Sequence, residues 1–229
     1  MFNEKEEEIM SRQYWRPSNM LNPVPAVLIT CRDENGKANA MTAAWAGTIC
    51  SDPVMVSVSI RKNRYSHDII QRTGEFVMCL TNRELVRATD YCGIYSGAKV
   101  DKFNLPGRLH ITEEPAKLVK APCIKESPVC LECKVKQVLE LGTHDMFVAE
   151  VVSTDIDDSL LDENGRLDLQ KADLMAYSHG EYYALGKKLG KFGFTSLKSE
   201  KEENLKEVKT PKGSRTNFKG RKKNRRHDK

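Results

Sequence analysis

Several stretches of this chain carry residue types suited to chemistry. The first is IRKNRYSHDII at 60–70. An alternating apolar run ends at Ile60, three cations follow (Arg61, Lys62 and Arg64), and Ser66 opens what reads as a helix. A helix N-terminus presents unpaired N–H groups and about half a positive charge, and arginine forks match phosphate oxygens. The stretch reads as a phosphate cradle on a strand-to-helix turn; a solvated basic turn before an ordinary helix is the alternative. The second is NAMTAAW at 39–45, where small residues around Thr42 and Trp45 let a flat ligand approach the backbone. A strand with a core tryptophan is the plainer reading. The third is GTHD at 142–145, a turn that presents His144, a side chain that titrates near neutral pH.

CLEC at 130–133 invites a redox or zinc reading, and spacing rejects both. Residues three apart on a strand face opposite sides, about 10 Å apart along the chain, which exceeds disulfide reach. No second Cys pair or His pair stands at zinc spacing. Nor is there a GxGxxG after a strand, a P-loop, a GxSxG or an HExxH. A nicotinamide, if one is used, must bind transiently against something else.

The elements that must position these residues are mostly strands. VMVSVSI (54–60) alternates, with Val54, Val56, Val58 and Ile60 on one face. PAVLITC (25–31), EFVMCL (75–80), VCLECKV (129–135) and MFVAEVV (146–152) are further strands. Asn35-Gly36 links PAVLITC to KANAMTAAW as a hairpin turn, and a second DENG recurs at 162–165. Two helices sit among them. One runs 66–74, with Ser66 as N-cap and Gly74 as its stop; the other runs 81–93, with a Thr81–Glu84 capping box and Gly93 as its stop. Many short strands with short links argue for an antiparallel barrel or sandwich, since strand–helix–strand alternation does not recur.

The 229 residues carry a formal net charge of +5. Residues 198–229 hold thirteen Lys/Arg against five Asp/Glu, a net of +8, which leaves −3 for residues 1–197. The basic character belongs to a tail too charged and too poor in large apolar residues to bury a core, so it is expected to be disordered. Weak polyanion binding by KGRKKNRRHDK (219–229) is the most it offers, and nucleic-acid association through it is the reading from another class. No apolar run approaches the ~18 residues of a membrane span. The acidic start lacks a secretory pattern, and seven cysteines are an odd number for a disulfide framework. A cytoplasmic protein with reduced thiols is expected, and no membrane partner.

Taken in order, PAVLITC, NAMTAAW, SDPVMVSVSIRKNRYSHDIIQRTGEFVMCL, GTHDMFVAEV and the closing YYALGKKLGKFGF resemble the flavin reductase-like family, nearest its flavoredoxin and ferric-reductase-like members. The resemblance covers about 18–197, which sets expected divisions at 1–17 (arm), 18–197 (domain) and 198–229 (tail). It implies a mainly β fold, a six-stranded antiparallel Greek-key split barrel with a few short helices. It further implies a homodimer with FMN near the interface, NADH or NADPH as electron donor, and a small-molecule or protein acceptor. Hydride would pass to the flavin and on to that acceptor; a flavoredoxin-type electron carrier with resident FMN is the alternative. Carried over by position, Asn39, Ala40, Met41, Thr42, Ala43 and Trp45 would line the ring. Cys50 and Ser51 would lie at its edge, with Cys50 the thiol neighbouring the chemistry. Arg61, Lys62, Asn63, Arg64, Ser66 and His67 would hold the phosphate. His144 would stand where the nicotinamide stacks. Relatives read Gly-Asp-His where this chain reads Gly142-Thr143-His144, which leaves Asp145 as the substitute carboxylate partner for the histidine.

Overall fold

The computed structural model describes residues 11–196. The chain forms two compact units, one through Leu185 and one from Gly186. The basic tail and the first ten residues of the expected arm lie outside the described residues. Among the described residues no helix is long and apolar enough to cross a membrane.

Seven strands form the main antiparallel sheet: β2 (Val27–Arg32), β3 (Ala38–Ala43), β4 (Ala46–Ser51), β5 (Val54–Arg61), β6 (Glu75–Leu80), β9 (Val129–Glu140) and β10 (His144–Ile156). Their order is β3-β2-β6-β9-β10-β5-β4. The two outermost strands are consecutive in the chain, joined only by Ala44 and Trp45. A flat sheet cannot bring its edges that close, so this one rolls into a barrel that is open along the β3–β4 seam. The expected class is therefore found, with seven strands rather than six, because AGTICS pairs with β5 as a hairpin of its own.

Smaller pieces complete the unit. β1 (Val24–Pro25), β11 (Met175–Ser178) and β12 (Glu181–Ala184) form a three-stranded sheet, and β7 (Glu113–Glu114) pairs with β8 (Cys123–Ile124). Helix α1 (Tyr65–Thr73) follows β5, and α2 (Val86–Ile94) follows β6.

Side-chain alternation divides the core in two. Val27, Ile29, Met41, Val58, Phe76, Met78, Cys133 and Phe147 fill the barrel, with Ile69 and Ile70 of α1 packed against them. The opposite face of β2, β3, β6 and β9 (Leu28, Ala40, Val77, Cys79 and Cys130) packs against Leu85, Ala88 and Cys92 at α2 and against Ile111–Ile124. β6 thus has a core on each side, which is why its sequence reads as an unbroken apolar run.

Both DENG sequences build the same turn. Asp33 Oδ1 accepts from the N–H groups of Asn35 and Lys37, and Asp162 Oδ1 from those of Asn164 and Arg166. Gly36 and Gly165 take φ of 86° and 72°, open to glycine without strain. Gly74 ends α1 in the left-handed conformation, its N–H on the Ile70 carbonyl, as expected. The expected caps fare differently. Ser66 lies one residue inside α1 and is buried; the helix begins after Arg64 with no side-chain cap. Thr81 donates to the Ala26 carbonyl, and it is Asn82 Oδ1 that accepts from Leu85 N–H ahead of α2. Gly93 does not stop α2, which runs one residue further.

Glu132 is 0% exposed, and its carboxylate accepts from three consecutive backbone N–H groups, Lys117, Leu118 and Val119. It pins the irregular 111–124 segment to β9. Glu132→Ala would orphan three donors, each costing about 1–3 kcal/mol. Urea unfolding should therefore show a loss of about 3 kcal/mol or more, while Glu163→Ala, on the exposed second DENG turn, should lose under about 0.5 kcal/mol.

Candidate functional site

The mouth of the barrel holds a groove in two compartments. One, of about 220 Å³, lies over the start of α1 and the end of α2 and is lined by Arg61, Asn63, Arg64, Ser66, Gly97 and Lys102, with Asn39 and Met41 as floor. The other, of about 350 Å³, lies along the seam and is lined by Thr42, Ala43, Trp45, Gly93, His144 and Tyr177. Met41, Arg61 and Arg64 line both, so the compartments adjoin.

The first compartment is lined by cations held in place by backbone carbonyls. Arg64 donates to the carbonyls of Gly93 (2.8 Å) and Cys92 (3.2 Å) at the end of α2. Lys102, 1% exposed, donates to the carbonyls of Ala40 (2.6 Å) and Cys92 (3.1 Å). An ammonium has three donors, so one N–H remains for a ligand. Burial pulls the Lys102 ammonium down to about 8. Asn39 donates to Ser66 Oγ at 2.7 Å, tying β3 to α1. Gly97 passes so close that a Cβ there would strike the Asn39 carboxamide and stand 2.7 Å from the Tyr65 ring. Only glycine leaves the compartment open.

The second compartment is flat and aromatic. His144 stacks on Trp45 at 4.7 Å between ring centroids, tilted by 38°. Burial, and secondarily the Arg61 charge, hold His144 below its ordinary value, which favours the neutral ring. Thr143 Oγ1 lies 2.9 Å from Nδ1. The wall is made by β3, β5 and the end of α2, with Thr42 Oγ1 donating to the Thr89 carbonyl.

Of the residues singled out in the sequence, Asn39, Met41, Thr42, Ala43, Trp45, Arg61, Asn63, Arg64, Ser66 and His144 line the groove. Five do not. Ala40 faces the α2-side core, the opposite side of β3 from Asn39 and Met41, and contributes its carbonyl to Lys102. Cys50 and Ser51 sit at the far end of β4, opposite Met55 and Val54, with the Cys50 thiol on the Asp52 carbonyl. That places Cys50 about 16 Å along the strand from Trp45, so the expected position at the ring edge is not found within one chain. Lys62 turns away to Glu140 (3.2 Å) and Asp145 (3.3 Å). His67 is buried between two carboxylates, Asp145 on Nε2 and Asp68 on Nδ1, both at 2.8 Å. Asp145 accordingly does not serve His144. Consecutive residues of a strand face opposite ways, and the partner of His144 is Thr143. Gly97, Lys102 and Tyr177 were missed. Lys102 stands in AKVDKFNLP, a stretch with no periodicity, where a lysine destined for burial looks like any surface lysine.

Residues 20–186 match the flavin reductase like domain. The chain belongs to the flavin reductase-like family. An uncharacterized protein of Archaeoglobus fulgidus is 34% identical over 163 residues, 71% of this chain and 88% of its own length. Among solved structures, the flavoredoxin of Desulfovibrio vulgaris is 33% identical with a TM-score of 0.74, covering 82% of this chain and all of that one. The flavoredoxin of Methanosarcina acetivorans is 29% identical with a TM-score of 0.71, over the same shares. This flavin reductase-like chain therefore shares its fold with flavin proteins over the whole unit that carries the groove.

Burial alone would push the Asp145 carboxyl up, but His67 and Lys62 outweigh it and hold it below the usual carboxylate range. A carboxylate held low stabilises the fold above the unfolded value near 4, and that contribution is lost as pH falls through the lower folded value. Asp145→Asn should thus lower the urea midpoint at pH 7, and the gap to the parent should narrow when both are titrated near pH 3. A gap independent of pH would assign the loss to packing.

Proposed function

We propose that the groove binds FMN and that the chain passes electrons from NADH or NADPH, through the flavin, to an acceptor. One observation carries this: a cationic compartment and a flat aromatic one adjoin at Met41, Arg61 and Arg64, the chemistry that a phosphate joined to a planar ring requires. Arg61, Arg64, Lys102, Asn63 and Ser66 would hold the phosphate; Thr42, Trp45 and Tyr177 would flank the ring. A bound flavin supplies the hydride- and electron-accepting centre, and the protein supplies orientation and electrostatics.

The chain's own part follows from its geometry. Arg64 and Lys102 are anchored on backbone carbonyls, so a ligand phosphate meets cations already in place. His144 favours its neutral form and is held by Trp45 and Thr143, so its Nε2 can donate to or accept from a nicotinamide carboxamide without adding a charge beside Arg61. Trp45 is 45% exposed, and Ile49 and Val54 on the β4–β5 hairpin are 50% and 49% exposed. These apolar residues, on or beside the edge strand β4, support pairing of two copies along the seam.

The resemblance to two flavoredoxins favours a second reading, in which FMN stays resident and the donor is another protein. Anaerobic titration separates the two. Bleaching of bound FMN by stoichiometric NADH or NADPH is the expected result; a spectrum unmoved by either nicotinamide would leave only the carrier. Arg64→Ala and Lys102→Met should weaken FMN about tenfold to a hundredfold and riboflavin little, at about 1.5–3 kcal/mol per charge-assisted contact. Equal losses for both ligands would remove the phosphate assignment.

FMN binding should also follow pH. The phosphate is a dianion above about 6, and Lys102 loses its proton as pH rises through about 8. Affinity should be greatest between these values and decline above 8, and fluorescence titration of Lys102→Met should show no such decline.

A further inference from the structure

Strands β6 and β9 bring together thiols that the groove does not use. Cys79 and Cys130 are direct partners in the β6–β9 ladder, their sulfurs 3.3 Å apart. Both face the α2-side core, and Cys123 of β8 belongs to the same cluster. Directly opposed residues of an antiparallel ladder have Cα atoms about 4.5–5.5 Å apart, inside the roughly 4.4–6.8 Å that a disulfide spans. Bond formation needs the sulfurs to approach by about 1 Å, which side-chain rotation supplies. CLEC does not pair with itself, as the strand spacing requires, but its first cysteine has a partner from another strand.

The three thiols are not equivalent. Interactions with Cys123 and Cys79 hold Cys130 well below the ordinary thiol value, while burial pushes Cys79 up. Access runs through β8. That strand is two residues long and pairs with the equally short β7, and the Cys123 thiol reaches Asp155, a half-buried residue, at 3.3 Å. Cys79 and Cys130 are 0% and 3% exposed, so exchange follows local opening of this segment, which admits a small reagent.

We infer that Cys79 and Cys130 are a redox-active dithiol that closes to a cross-strand disulfide by exchange with a small-molecule disulfide. The Cys130 thiolate attacks one sulfur of the reagent, breaks its S–S bond and releases one reagent thiolate. Cys79, as it loses its proton, attacks the Cys130 sulfur of the mixed disulfide; the new S–S bond forms and the second reagent thiolate leaves. Two electrons pass from the pair to the reagent, and the two cysteine protons end on the two released thiols. The bond joins residues 51 apart in sequence. It lies in the layer that includes Ala40 and Cys92, whose carbonyls hold Lys102.

The full chain is incubated with oxidised glutathione, quenched in acid, blocked with a maleimide in denaturant and digested with trypsin. A linked pair of peptides 73–83 and 126–134 is expected, two hydrogens lighter than the sum, with fragment ions placing the bond on Cys130. Dithiothreitol should release it, and oxidised protein should melt above reduced protein. Cys79→Ala should show neither the linked pair nor the rise. A bond from peptide 121–125, a bond on Cys133, or full thiol titre after oxidation would each overturn the assignment. The peptide map of the unaltered chain decides the question even if the variant is unstable.

Discussion

The last carbonyls of one short helix organise this protein. Every helix ends in unpaired C=O groups at the negative end of its dipole. In α2 those of Cys92 and Gly93 are taken by Arg64, from the start of α1, and by Lys102, from the segment after α2. The contacts close a helix end, join it to Arg64 28 residues before Cys92 and to Lys102 ten residues after it, and hold two cations at the wall of a groove. Neither cation is free to fold back on a carboxylate. Burial lowers the proton affinity of Lys102, and a bound anion would favour its charged form.

The barrel contributes by having two working faces. One face of β3 sends Asn39 and Met41 toward the groove, while Ala40 between them packs under α2 and Thr42 reaches the α2 backbone. The same alternation sends His144 to Trp45 and Asp145 to His67. The buried His67–Asp145 pair thus fixes the start of β10 from behind, and His144 inherits its position from a contact on the other side of the strand. Groups that look like neighbours in the sequence serve different ends because a strand separates them.

Much of this was legible. The alternating and apolar runs gave the strands, Asn35-Gly36 the hairpin, and Gly74 the end of α1, since each depends on a local rule. IRKNRYSHD marked a cationic strand-to-helix turn, and Arg61, Asn63, Arg64 and Ser66 line one compartment of the groove. Helix starts were misplaced because the expected capping side chains are engaged elsewhere: the backbone at Ala26 claims Thr81, and Asn39 reaches Ser66 from 27 residues away. Lys102, Gly97 and Tyr177 were illegible for a related reason. Their roles depend on where an aperiodic segment and a small second sheet come to rest, which no local pattern encodes. Cys79 and Cys130 show the same limit, since their proximity is a matter of strand order and register.

The two-residue link between β3 and β4 has a bearing on how such a groove can change over time. Ala44 and Trp45 are at once the hinge of the rolled sheet and the wall of the aromatic compartment. An insertion there would spread the seam and swing the indole out, so length variation is barred at this point. The stretch between α2 and β9 carries no such geometric duty except at Lys102, Gly97 and the turns beneath Glu132. Changes in length are therefore better accommodated in that long excursion and in the β11–β12 hairpin than in the two-residue link that frames the planar slot.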